Sequence, residues 1–152
     1  MARRASRAER GFTLVELLVV ILVIGILATL MLPNYRRAAY KAQAAEMVER
    51  VHQINVAIKN YEADGLTVPG GAGPAGAPPA YLAPYVSAGS FLGPVGITLQ
   101  LSGPSGDTPP TLLLTNGSDP GGRQVLLALA AMLGDAAYVM GGGQSVGVTM
   151  IG

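Results

Sequence analysis

Between Phe12 and Leu32 the sequence places 21 residues, and Glu16 is the only charged one among them. In hydrocarbon a carboxylate costs about 2.5–3.5 kcal/mol at the centre of a membrane helix and less towards an end. Glu16 falls in the first turn or two of the run, so it either snorkels to the headgroups or meets a cation. The remaining side chains offer little catalytic chemistry. His52 is the only histidine and the chain has no cysteine, so neither a histidine cluster nor a thiolate can hold a metal. Ser87, Ser90, Ser102 and Ser105 lie in Gly/Pro-rich stretches with no base placed beside them. No glycine pattern after a strand makes a phosphate loop. Asn116-Gly117-Ser118-Asp119 is the one loop with clustered oxygen ligands, and it fits a helix cap. An enzyme is not expected.

The element that must position Glu16 is the apolar run itself. Twenty-one helical residues at about 1.5 Å each span roughly 30 Å, the thickness of a bilayer's hydrocarbon core. Met1–Arg10 precedes it as a basic head carrying Arg3, Arg4, Arg7 and Arg10. A conventional cleaved signal would need a shorter core and a small-residue site beyond it, which Ala28-Thr29-Leu30 does not supply. Arg36, Arg37 and Lys41 follow the run, so charge alone barely favours a cytoplasmic N-terminus. Gly25 sits near the middle of the helix and Pro33 just past its apolar part. Both weaken a helix, and a kink is expected near Pro33, with the helix otherwise intact in an isolated subunit.

Gly11-Phe12-Thr13-Leu14-Val15-Glu16-Leu17, the basic leader before it and Pro33-Asn34-Tyr35 after it resemble the type IV pilin and type II secretion pseudopilin family. The resemblance covers about residues 1–60. It implies that a prepilin peptidase cuts between Gly11 and Phe12 and that Phe12 is N-methylated. It also gives Glu16 a partner, the new Phe12 amine. A positive amine at a helix N-terminus is disfavoured by the macrodipole, and a carboxylate four residues on can neutralise it. In the family the same carboxylate is thought to pair with the amine of a neighbouring subunit, which would set axial register. Removing residues 1–11 takes away four of ten basic residues and one of nine acidic ones, leaving a net charge near −2. That balance offers no basic surface for nucleic acid. Many family members close a C-terminal loop with a disulfide, which this cysteine-free chain cannot do. Some pseudopilins hold calcium in such a loop; Asn116 and Asp119 are the weak candidates here, against the capping role.

Downstream of Pro33, Tyr40, Ala44, Met47, Val51, Ile54, Ile58 and Tyr61 recur at alternating steps of four and three, one apolar stripe widened by Val48. It predicts an amphipathic helix to about Asp64, ended by Gly65 and packed on the chain's own C-terminal part rather than in a coiled coil. Residues 65–94 are rich in Gly and Pro and predict loop, with a short turn at Tyr81–Val86 tucking in Leu82 and Tyr85. Val95–Leu101 and Thr111–Thr115 read as strands. A second helix follows, capped by Ser118 or Asp119, opened by Pro120 and closed at Gly134; its near-wholly apolar body is either buried on a sheet or an exposed contact surface. Ala136–Met140 and Val146–Ile151 read as a hairpin around Gly141–Gly143.

The expected architecture is α+β: a long N-terminal helix on a small antiparallel sheet. Its parts are a cleaved leader (1–11), a transmembrane and assembly helix (12–33), an amphipathic half (34–64) and a C-terminal head (65–152). The expected function is a structural subunit, single-pass in the bacterial inner membrane, N-terminus cytoplasmic and head extracytoplasmic, that enters a pilus or periplasmic pseudopilus. Its partners would be prepilin peptidase, other pilin or pseudopilin subunits, the inner-membrane assembly platform and lipid. The alternatives are a minor tip subunit with an adhesive or DNA-binding head, or a non-polymerising anchor. No cofactor is implied.

Overall fold

The computed structural model describes residues 12–117 and 119–150. The chain divides into two compact units, Met1–Arg37 and Ala38–Gly152. Helix α1, Leu14–Ala63, contributes to both, and its helical residues continue without a break through Gly25 and Pro33. In the first unit every described side chain from Phe12 to Arg37 is exposed, the long apolar ones included. This is the helix long and apolar enough to cross a membrane.

The second unit is an α+β head. From Ala38 onward α1 changes character as the periodicity requires. Ala44, Met47, Val51, Ile54, Ile58 and Tyr61 are buried, while Glu46, Glu49, Lys59 and Glu62 stay in solvent. Ala57 is buried beside Ile58, an addition to the expected stripe, and Tyr40 and Val48 pack partly against the core. Gly65, at φ 78°, supplies the left-handed residue that ends the helix, and its N–H donates to the Glu62 carbonyl.

Four strands form one antiparallel sheet: β1 Ile97–Ser102, β2 Thr111–Asn116, β3 Ala137–Met140 and β4 Ser145–Thr149, in spatial order β1-β2-β4-β3. Register runs Leu99 opposite Leu114, Leu112 opposite Val148, and Val139 opposite Val146. Period-two alternation turns Ile97, Leu99, Leu101, Leu112, Leu114, Val146 and Val148 to one face. There they share a core with the α1 stripe and with Val125, Leu126 and Leu129 of α2, Pro120–Leu133. Each such side chain contributes about 1.5–3 kcal/mol on burial, so this shared layer carries the head.

Helix α2 resolves the two readings of its apolar body. One face is buried, while Leu127 and Met132 on the other remain exposed. Asp119 caps it, its carboxylate accepting from the Gly121 N–H at 2.7 Å; Ser118, the other expected cap, lies outside the described residues.

Several boundaries differ from the sequence reading. β1 begins at Ile97 instead of Val95, because Pro94–Gly96 forms a 3₁₀ turn in which Val95 adopts φ 50°. β2 extends one residue further, to Asn116. β3 starts at Ala137, after a 3₁₀ turn over Gly134–Ala136. β4 runs Ser145–Thr149, and Ile151 lies outside the described residues. Gly141, Gly142 and Gly143 all have positive φ, so the β3–β4 hairpin needs residues without a Cβ there.

The Gly/Pro-rich stretch is loop, as its composition requires, yet it is tied down. Leu82 is fully buried, Tyr85 half-buried, and an unforeseen 3₁₀ turn at Ala88–Phe91 delivers Phe91 to the core. The N–H groups of Gly93, Gly76 and Gly73 donate to the carbonyls of Ile97, Leu99 and Leu101, each at 2.8 Å. The outer edge of β1 is therefore occupied, and among the described residues β3 is the open edge of the sheet.

Candidate processing and assembly segment

The segment is built from its first helical turn. Thr13 precedes Leu14 as the residue at the cap position of α1. Its hydroxyl accepts from the Glu16 N–H at 3.3 Å. In return a Glu16 carboxylate oxygen accepts from the Thr13 N–H at 3.0 Å and from the Thr13 hydroxyl at 2.8 Å. This is a capping box, a Thr and a Glu three apart that satisfy each other's orphan donors. The carboxylate that composition marks as misplaced therefore has a local partner, drawn back towards the helix N-terminus where the macrodipole favours negative charge. Phe12, immediately before, is 80% exposed. Gly11, on the other side of the expected cut, lies outside the described residues.

Along one side of the helix, Leu18, Ile21, Leu22, Gly25, Ile26 and Thr29 line a shallow groove of about 500 Å³. Gly25 makes the notch: a Cβ built there would meet nothing within 4 Å. Thr29 returns its hydroxyl to the Ile26 carbonyl at 2.7 Å, so no free polar group interrupts the groove. A small residue flanked by large apolar ones is a surface on which another helix can approach closely.

Residues 6–32 match the family model described as the prokaryotic N-terminal methylation motif. The N-terminal region carries the prepilin-type methylation motif. Curated relatives that align over this region are named as type II secretion core and type IV fimbrial proteins. The type II secretion system core protein G of Escherichia coli (strain K12) is 38% identical over 66 residues, 43% of this chain and 46% of that protein. The type IV major fimbrial protein FimA of Dichelobacter nodosus is 35% identical over 57 residues, 38% of this chain and 36% of FimA. A fimbrial protein of Pseudomonas aeruginosa is 32% identical over 68 residues, 45% of this chain and 44% of its own length. These alignments span less than half of each relative. No solved structure matches the chain.

The other candidate residues fall apart in space or into structural roles. His52 is exposed on α1, and among the described residues no group of three or more His, Cys, Asp or Glu is placed to hold a metal. Asn116 and Asp119, the calcium candidates, are brought together. However, the Asn116 amide donates to the Asp119 carbonyl at 2.9 Å while the Asp119 carboxylate caps α2. Ser87 and Ser90 pair at 3.1 Å, and Ser90 reaches Gln53 at 3.3 Å, fastening the 88–91 turn to α1. Arg50 adds to that fastening, bonding the Gly89 carbonyl and, at 2.7 Å, the Glu46 carboxylate.

One residue of the segment escaped the sequence reading: Thr13. The signal was present, since Thr13-x-x-Glu16 ahead of an apolar run is the sequence form of a capping box. The same spacing also suits a carboxylate in hydrocarbon that needs a cation, so sequence alone does not choose between the two partners.

Proposed function

We propose that the chain is a structural subunit of the pilin type. It is cut between Gly11 and Phe12 by prepilin peptidase, methylated on Phe12, and polymerised through α1 into a type IV pilus or a pseudopilus. The match of residues 6–32 to the N-terminal methylation motif carries this reading. It is supported by relatives named as fimbrial and type II secretion core proteins. The exposed apolar surface of α1 between Phe12 and Leu32 also supports it, because such a surface must be covered by lipid or by neighbouring helices. On this reading residues 1–11 are the leader and 12–33 the transmembrane and assembly helix. The chain begins single-pass in the bacterial inner membrane with its head outside the cytoplasm, and there it meets the assembly platform.

Glu16 would act in two stages. In the precursor it closes the capping box with Thr13. After cleavage, the Phe12 amine offers a stronger, charge-assisted partner, in the same chain or in a neighbour, and that pairing sets the register of one subunit against the next. The notch at Gly25 is a second place where a neighbouring helix can seat, and Gly25 with Pro33 marks where α1 can bend.

Processing and assembly separate in two variants. Gly11→Asp should abolish processing, and a band of mature size on a gel would show that the cut lies elsewhere. Glu16→Ala should leave membrane insertion intact and prevent incorporation into sheared fibres or pseudopili; normal incorporation would sink the register role. An adhesive or DNA-binding head draws no support from Arg123, the sole basic residue after Gly65, whose Nε donates to the Gly142 carbonyl at 2.8 Å.

A further inference from the structure

We infer that Arg36 and Arg37, with Tyr35, form a collar that binds the anionic phosphate headgroups of lipid where the membrane-spanning part of α1 leaves the hydrocarbon. The inference rests on the membrane reading above and extends it to a lipid class and to the residues that recognise it.

Depth is the first argument. If Phe12–Leu32 fills a hydrocarbon core of about 30 Å, Arg36 lies four residues beyond, about 6 Å along the helix axis. The headgroup layer on each side of a bilayer is roughly 5–8 Å deep, so both arginines fall in the plane of the phosphates. Tyr35, 76% exposed, stands at the hydrocarbon boundary, where an aromatic ring with a polar tip is favoured.

Charge is the second. Both arginines are exposed, and among the described residues of the first unit neither has a carboxylate within ion-pair distance. No acidic residue occurs in the sequence between Glu16 and Glu46, so no acid close in sequence offers them compensation. A guanidinium presents parallel N–H donors that match two phosphate oxygens, and two in succession suit a layer of anionic headgroups. Phosphates surround the helix at this depth whether or not a second subunit is present, which favours lipid over the carboxylates of another copy.

The absence of cysteine permits a local test. Asn34→Cys in the full chain is labelled with a fluorophore, reconstituted into vesicles, and checked for insertion by flotation. Quenching is then compared for phosphatidylglycerol and phosphatidylcholine carrying a nitroxide on the headgroup. At about fivefold per cation, the pair should give phosphatidylglycerol roughly a thirtyfold higher association at this position. R36Q/R37Q should bring the preference near unity while flotation is unchanged, and R36K/R37K should keep most of it. Equal quenching by the two lipids overturns the proposal. So does a preference that survives R36Q/R37Q, which would assign it to the leader arginines. Fluorophore self-quenching that R36Q/R37Q abolishes, without a lipid preference, would assign the arginines to a second copy instead. Failure to float would refute the membrane reading itself, and the collar with it.

Discussion

Replacing Thr13 by Val keeps the shape of the side chain and removes its oxygen. The exchange takes away the acceptor for the Glu16 N–H and the donor to the Glu16 carboxylate, leaving only the Thr13 N–H bond to that carboxylate. Losing an N-cap oxygen costs a helix about 1 kcal/mol, within a range of about 0.5–2. The loss is local, so it should appear in the first turn of α1 and nowhere else. About 1 kcal/mol corresponds to roughly a fivefold change in the opening equilibrium. Amide hydrogen exchange of the chain in detergent micelles reads that equilibrium directly. For Thr13→Val the Glu16 amide should exchange about fivefold faster, with amides beyond Ile21 unchanged, and Thr13→Ser should restore protection. Equal protection of the Glu16 amide in Thr13→Val and the parent would refute the capping box. It would leave Glu16 a lone carboxylate awaiting an amine.

Two further substitutions probe the head. Gly103→Ala should destabilise it by about 3 kcal/mol, near the upper end of the overpacking range, because the new Cβ would overlap the Pro69 carbonyl oxygen, a backbone atom that cannot swing away. A urea midpoint unchanged from the parent's would refute this. Tyr85 donates its phenol O–H to Asp64, and that hydrogen bond, then desolvation and the nearby Asp64 charge, hold its pKa above the usual tyrosine value. Because the folded-state pKa is the higher one, the stabilisation is fully present below about pH 10 and is lost as pH rises through the raised value. Tyr85→Phe should remove that alkaline loss from a stability–pH profile, and an identical alkaline limb in both proteins would refute the coupling.

How much the sequence reveals depends on whether the signal is local. The α1 stripe was legible because burial on a helix repeats every three to four residues, and six of its seven predicted positions are buried. Asp119 and Pro120 opening α2 were legible for the same reason, being cap chemistry confined to one turn. The start of β1 was not. Val95 and Gly96 continue the alternation, but a positive φ at Val95 turns the chain before pairing begins, and β-branched residues seldom adopt it. Phe91 sits in a stretch whose glycines and prolines predict surface, and only the docking of the 88–91 turn on α1 explains its burial. The pairing of β2 with β4 joins residues thirty or more apart, beyond the reach of any pattern in the chain. In the candidate segment, the motif residues were legible and their mutual hydrogen bonds were not. A spacing says which side chains can meet but not whether they already satisfy one another.

The strand order β1-β2-β4-β3 makes the head vulnerable in an uneven way. Strand β4 is late in the chain yet interior in the sheet, with β2 on one side and β3 on the other. A premature stop at Ser145 would not trim an edge. It would leave β3 without its neighbour, strip Val146 and Val148 from the core, and turn β2 into a raw edge with unpaired amides. A shortened chain would still carry the methylation motif of residues 6–32 and the apolar part of α1. The closing strand of the sheet is thus what completes the head: without it the core face and a sheet edge stand open together.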